Sequence, residues 1–198
     1  MIIFATITPD TSCPSAANWL QAKLDAPQAV TFDVTAACSG FIFGLNVATQ
    51  YLLTGFSKTA LVVGAEVMTR TLNWKDRTTC ILWGDGAGAA ILTKDNGGHQ
   101  ILSTHIHTDG KNGQDLLMPG GGSRTTPISH ESVDKGLHTL NMIEANASFR
   151  VAVALCRVDQ RGGRPQQGGD QGHRVVHSAS GQLENVSVHS QDPASPDG

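Results

Sequence analysis

The sequence predicts an α/β fold, and three observations carry that expectation. Apolar runs of strand length recur at Met1–Ile7, Ala29–Val34 and Ala60–Val63. Stretches with helical character separate them, one following Pro14 and one running from Phe41 to Leu53. Between the second strand and the second helix, Thr35-Ala36-Ala37-Cys38 reads as a strand-turn-helix elbow. Strands alternating with helices of this length belong to the layered α/β class.

Each element has a local reason. Met1–Ile7 is a strand that begins at the first residue, so an earlier part of the fold is expected to be missing. Pro14 fits the first turn of a helix that carries Ala16, Ala17, Trp19, Leu20 and Leu24 and stops before Pro27. Ala29–Val34 is a short apolar strand. The helix after Cys38 carries Phe41, Ile42, Leu45, Val47, Ala48, Tyr51, Leu52 and Leu53 and ends at Gly55. It is apolar on nearly every side, which predicts burial. Ala60–Val63, Cys80–Trp83 and Ala89–Leu92 are continuous apolar strands of the kind buried on both faces, the last two bracketing "GDGAG". Ile101–His107 alternates like a half-exposed strand, Gly110–Arg124 is a glycine-rich loop, and Phe149–Val153 is helical.

The totals narrow the function. The chain has 198 residues, a formal net charge of -3 and a pI near 6.2, which suits one globular domain or part of a larger one. That balance offers no basic field for nucleic acid. No apolar run approaches the roughly 20 residues of a spanning helix, and the first residues lack the basic start and cleavage site of a secretion signal. Cys13, Cys38, Cys80 and Cys156 are irregularly spaced with no CxxC pair, which argues against a disulfide framework or a zinc site. A cytoplasmic protein with reduced thiols is expected, with no membrane or nucleic-acid partner.

Cys38 is the candidate nucleophile. The elbow presents it at the start of a buried helix, where free N–H groups and the helix dipole favour an anion and hence a thiolate. Ala36, Ala37, Ser39 and Gly40 are small enough to let a thioester approach. A small hydrophobe in a core is the competing account of a lone cysteine. "GDGAGAA" (Gly84–Ala90) matches a dinucleotide fingerprint superficially, but the residues after it read as a strand where that fingerprint needs a helix. A tight turn between neighbouring strands is the better account.

"FDVTAACSGF", "ALVVGAE", "DRTTCILWGDGAGAAIL", "ILSTHIHTDG" and "FRVAV" stand in the order seen in β-ketoacyl-acyl-carrier-protein synthase III, and over about Ile2–Val153 the chain resembles that family. The resemblance implies a thiolase-like fold, layered α/β/α/β/α in the intact family and incomplete here. It implies a condensation that initiates fatty acid synthesis: Cys38 takes the acyl group of an acyl-CoA, and malonyl-acyl carrier protein decarboxylates and attacks the acyl-cysteine. It places Arg77 against the CoA adenine, and it implies a homodimer joined through the strand Val30–Val34. CoA enters as a thioester substrate, and no resident cofactor or metal is expected. The family's stretch before the first strand, about a quarter of its length with an early tryptophan, is absent. Cys13 stands where the family often has a phenylalanine that reaches into the partner's acyl pocket. The family's catalytic His and Asn, in a "PHQAN" motif and a later loop, have no counterpart as written. His130, His138, His173 and His177 are expected to be solvated. The alternatives are a non-catalytic fragment that binds CoA or carrier protein, or an acyltransferase-like relative.

From about Ala154 the sequence turns rich in Arg, Gln and Gly without helical or strand periodicity, which predicts a disordered, non-family segment over 154–198 after a partial ketosynthase domain over 1–153. Its codons suggest an origin. His173–Gln182 can be written CAT CGA GTG GTT CAT TCC GCA TCA GGC CAA. Advanced by one base, and continued into the codon of Leu183, the same string encodes IEWFIPHQAN. The segment is therefore expected to be the family's second half read out of frame, and the chain as written to lack full condensing activity.

Overall fold

A computed structural model describes residues 1–94, 99–123, 127–142, 173–179 and 183–191. Its first half is a four-stranded sheet in the order β2-β1-β3-β4, formed by β1 (Ile2–Ala5), β2 (Thr31–Val34), β3 (Thr59–Glu66) and β4 (Gly86–Thr93). β1 is parallel to both β2 and β3, with Ile3 opposite Phe32 and Val62, and β4 returns antiparallel to β3. Parallel neighbours need crossover connections. Helix α1 (Ala16–Lys23) joins β1 to β2, and α2 (Gly40–Leu53) joins β2 to β3.

α2 lies on this sheet and builds the core. Ile42, Leu45, Ala48 and Leu52 pack with Ile3, Ala60 and Val62, and Phe41, Val34 and Phe32 close the edges. Two glycines set the approach distance. A Cβ at Gly44 would stand 2.8 Å from Val62 Cγ1, and one at Gly40 would stand 3.0 Å from Ala5 Cβ. Spaced four apart, both lie on the face turned to the sheet.

α1 starts later than the sequence suggests. Pro14 lies before the helix, Ser15 holds the N-cap position without a side-chain cap bond, and Asp33 of β2 substitutes for it. The Asp33 carboxylate accepts hydrogen bonds from Ala16 N at 2.7 Å and Ala17 N at 2.9 Å. The first free amides of α1 are thus satisfied from the neighbouring strand.

Two expected strands differ. Cys80–Trp83 is not a strand: α3 (Arg77–Cys80) is a helical turn that runs into it. Asp76 accepts from Thr78 N at 3.0 Å, Thr78 Oγ1 at 2.6 Å and Thr79 Oγ1 at 2.7 Å, and this cap outweighs the apolar run behind it. Ala89–Leu92 is a strand, within β4, but not one buried on both faces, because β4 is the outer strand of the sheet and Ile91 is 71% exposed. In "GDGAGAA", Gly86–Ala90 already belong to β4, so the motif opens a strand and is neither a nucleotide loop nor a turn linking two strands.

Further on, β5 (Gln100–Asp109) is the half-exposed strand, and β6 (Leu116–Leu117), inside the stretch Gly110–Arg124 that reads as loop, pairs with β7 (Asn141–Met142). A short helix α4 (His130–Asp134), closed by a Ser129/Ser132 capping box, lies between them. Ile101 and Ile106 of β5 pack on the α2 core, and Asn46 Nδ2 of α2 donates to Thr104 Oγ1. The expectation of a structureless segment from Ala154 fails for two stretches. β8 (His173–Ala179) and β9 (Leu183–Gln191) form an antiparallel pair, and β9 pairs with β5 in a sheet of order β5-β9-β8. The physical reason is an alternation hidden by the polar composition: Val186 and Val188 alternate with Ser187 and His189, and Val175-Val176 add β-branched residues. Phe149–Val153 and the remainder of 154–198 lie outside the described residues.

Candidate active site

The chain leaves β2 through a turn that few residues adopt. Ala37 has φ 44°, in the left-handed region that costs a non-glycine residue about 1 kcal/mol. The Ala37–Ser39 segment closes one 3₁₀ turn, with Ser39 N donating to Ala36 O at 3.1 Å, and α2 begins at Gly40. Ser39 is buried while Cys38 is exposed and outside any disulfide. The predicted elbow is present: a cysteine lifted out of the chain two residues before a 14-residue helix.

Cys38 lines a cavity of about 620 Å³. Its walls come from separate parts of the chain: Ile7 beyond β1, Thr35–Ala37 at the turn, Glu66 at the end of β3 with Met68 two residues after it, Trp83–Asp85 ahead of β4 with Gly86 as its first residue, and Leu116–Met118 with Leu140 from the β6–β7 region. The last wall is fastened by backbone bonds, Leu140 N to Thr71 O at 2.7 Å and Gly120 N to Leu137 O at 2.6 Å.

Glu66 braces the rim. Its carboxylate accepts from Ile7 N at 2.8 Å and from the hydroxyls of Thr6, at 3.1 Å, and Thr8, while Thr8 Oγ1 accepts from Val67 N at 2.8 Å. The segment after β1 is thereby tied to the end of β3. Asp85 accepts from Thr69 N and Thr69 Oγ1, both at 2.8 Å. Those bonds, the backbone one foremost, hold its carboxyl below the usual carboxylate range, so it is ionised at neutral pH. The indole Nε1 of Trp83 is buried with no hydrogen-bond partner among the described residues.

The other sequence candidates lie elsewhere. Arg77 is exposed on the first turn of α3, outside the cavity wall, with Trp74 (64% exposed) three residues before it. Its neighbour Asp76 is engaged by Thr78 and Thr79, which hold that carboxyl below its usual range. Cys13 is exposed and is not part of the cavity, and Cys80 is half-buried. His130 and His138 lie outside the cavity wall, His130 exposed on α4. His173 and His177 lie on β8, where the description ends at the backbone, and Cys156 is outside the described residues. The backbones of β8 and β9 approach the Ala37–Ser39 turn. Among the described residues no group of three metal-ligating side chains is assembled, and no helix is long and apolar enough to cross a membrane. Glu66, Trp83, Met68, Leu116–Met118 and Leu140 escaped the sequence reading. The one available signal was the charged Glu66 closing an otherwise apolar strand.

Comparison with known proteins bears on the fold and on the stretch that holds Cys38. The family model of 3-oxoacyl-[acyl-carrier-protein (ACP)] synthase III matches residues 32–110, which include Cys38 and Arg77. The chain is 50% identical over 155 residues to beta-ketoacyl-[acyl-carrier-protein] synthase III of Caldanaerobacter subterraneus subsp. tengcongensis, covering 78% of this chain and 46% of that protein. The crystal structure of 3-oxoacyl-[acyl-carrier-protein] synthase III from Aquifex aeolicus VF5 superposes with a TM-score of 0.66 at 35% identity, over 79% of this chain and 47% of that one. The Pseudomonas aeruginosa PAO1 3-oxoacyl-(acyl carrier protein) synthase III gives 0.78 over 98% of this chain and 77% of that one, at 24% identity, a likeness of fold alone. The chain spans about half the length of the curated relatives it matches. Over that span it has the thiolase fold of the synthase III structures and is similar in sequence to 3-oxoacyl-[acyl-carrier-protein] synthase III.

Proposed function

We propose that Cys38 is the acyl-accepting nucleophile of a ketosynthase that begins fatty acid synthesis by condensing an acyl-CoA primer with malonyl-acyl carrier protein. The observation that carries this reading is the exposed thiol, on a strained turn ahead of α2, opening into a largely apolar cavity within the family-matched stretch. In the first half-reaction the Cys38 sulfur attacks the thioester carbonyl, a new carbon–sulfur bond forms and the bond to CoA breaks. The departing CoA thiolate takes up the proton that Cys38 gives away. The amides at the start of α2 favour the thiolate. Arg77, exposed and away from the cavity, is suited to the adenine end of CoA, which lies far along the ligand from the thioester. CoA is thus substrate rather than resident cofactor. Competitive alkylation at near-neutral pH is the test: Cys38 labels ahead of Cys13, Cys80 and Cys156, and equal labelling of the folded chain removes the case for an activated nucleophile.

The second half-reaction needs donors that stabilise a developing negative charge on the malonyl thioester. The motif that would supply them is absent from this chain as written, and the codons permitted for His173–Leu183 can encode it in the shifted frame. The reading of 154–198 as an out-of-frame second half is supported by the extent of the family likeness, 155 aligned residues or 78% of the chain. Acyl transfer without condensation is the activity expected of the chain as written. Resequencing the coding DNA tests it, because a shifted frame that does not read through IEWFIPHQAN ends the proposal. A homodimer built on the edge strand β2 and a cytoplasmic location belong to the same family reading.

A further inference from the structure

Three strand ends meet at the cavity beside Cys38, and one side chain ties them together. The β1–β3 ladder stops at Ala5, opposite Gly64, while β3 runs on to Glu66. Beyond the ladder, Ile7 N donates to Glu66 Oε1 at 2.8 Å, so a carboxylate takes the place of a backbone carbonyl. The second carboxylate oxygen, Oε2, accepts from the hydroxyl of Thr6, which is buried, and from that of Thr8. Both hydroxyls are themselves acceptors, Thr6 Oγ1 from Thr8 N at 3.0 Å and Thr8 Oγ1 from Val67 N at 2.8 Å. A threonine hydroxyl has one proton to give, and here both protons go to Oε2. The direction of every bond in the network is thus fixed, and Glu66 enters it as an acceptor.

On its other side the same segment holds β2, because Thr6 N donates to Val34 O at 3.2 Å. Val34 is the last residue of β2, and the turn to Cys38 starts at the next residue. That turn contains the left-handed Ala37, a conformation that persists only where its surroundings hold it. After the turn, α2 is fixed by close packing on the sheet at Gly40 and Gly44. Before it, the line of bonds runs from Val34 through Thr6 to Glu66. We propose that Glu66 is a positioning residue for Cys38: its carboxylate, through Thr6 and Thr8, fixes the strand end from which the strained turn departs and so keeps the thiol at the start of α2. The effect on acyl transfer rests on the reading of Cys38 as acyl acceptor. The effect on thiol reactivity rests on the network alone.

The test measures two rates on the full chain at neutral pH: alkylation of Cys38 by iodoacetamide, and its acylation by acetyl-CoA or octanoyl-CoA, whichever the parent takes faster. Peptide mass spectrometry reads both, and circular dichroism checks that each variant is folded. Glu66→Gln keeps the shape but sets an amide N–H against either Ile7 N–H or the two hydroxyl protons. Thr8→Val keeps the shape and the Glu66 charge but removes one hydroxyl. Each should slow both reactions at Cys38 by at least about tenfold, the scale on which a displaced reacting group loses rate. Thr8→Ser, which retains the hydroxyl, should keep the parent's rates. Alkylation of Cys80 in the same molecules should not change. A carboxylate acting only as a charge near the thiol would disfavour the thiolate, so Glu66→Gln would then speed alkylation. Cys38 alkylation as fast as the parent's or faster, in folded Glu66→Gln or Thr8→Val, overturns the proposal. A change of the same size at Cys80 marks general loosening and overturns it too. Should Glu66→Gln fail to fold, Thr8→Val and Thr8→Ser decide. If the parent takes neither acyl group, the acyl-acceptor reading fails, and the alkylation rates alone decide the positioning role.

Discussion

Gly44→Ala perturbs the contact on which the placement of Cys38 depends. The new Cβ would lie 2.8 Å from Val62 Cγ1 and 3.5 Å from Ile3 Cγ2. Val62 and Ile3 are both 0% exposed, on strands paired on both sides, so neither can yield without disturbing the sheet. Overpacking of this kind costs about 1–3 kcal/mol. Replacing glycine by alanine inside a helix returns about 1 kcal/mol. The net expectation is a destabilisation of about 1 kcal/mol, with α2 pushed outward. Val62→Ala removes the opposing methyl and leaves a void that the Gly44→Ala methyl partly fills. The double variant should therefore be more stable than the sum of the two single effects by about 1 kcal/mol. Gly88→Ala on β4, where a Cβ meets nothing within 4 Å, is the control and should stay within about 0.5 kcal/mol of the parent. Urea unfolding followed by near-UV circular dichroism measures all four. Gly44→Ala as stable as the parent or more so, with additive behaviour in the double variant, would refute the packing argument.

Other parts of the structure carry three further expectations. Trp83→Phe keeps an aromatic wall and removes a buried N–H with no partner, a group that costs about 1–3 kcal/mol, so thermal unfolding should show stability unchanged or raised; a clear loss would mean the indole donor is satisfied. Asp76 has its folded pKa lowered, so its contribution is present above the unfolded value of about 3.9 and is lost as pH falls through the lower folded value. The stability gap between the parent and Asp76→Ala should accordingly be constant from pH 5 to 8 and shrink in acid, and a gap that widens in acid would contradict the capping role. With β2 at the edge of its sheet and Val30 and Phe56 exposed, light scattering should find dimers or larger species, and a monodisperse monomer would count against the proposed interface.

Much of this molecule is legible in its sequence where one physical signal dominates. The apolar run Ala60–Val63 lies within β3 with three of its four residues buried, and the all-round apolar character of Phe41–Leu53 gives the core helix. Cys38 stands out because small residues, a strand end and a helix start coincide on one short segment. Reading failed where local polar chemistry competes with an apolar run. The carboxylate of Asp76 turns Arg77–Cys80 into a helical turn, and no hydrophobicity pattern in Cys80–Trp83 reveals that. It failed again where alternation was masked by composition, as in β9, whose valines are separated by polar residues amid Arg, Gln and Gly. The cavity wall was illegible for a different reason: Glu66, Trp83, Leu117 and Leu140 meet only through sheet order and loop bonds, and no sequence spacing encodes that meeting.

The most direct test of the central claim is intact-protein mass spectrometry of the full chain after exposure to acyl-CoA, followed by malonyl-acyl carrier protein. Formation of one acyl adduct that maps to Cys38, is absent in Cys38→Ser and persists without 3-oxoacyl product is the result predicted for an acyl-accepting site that lacks its condensing partners. An adduct that survives in Cys38→Ser, or 3-oxoacyl product made by this chain alone, would contradict it.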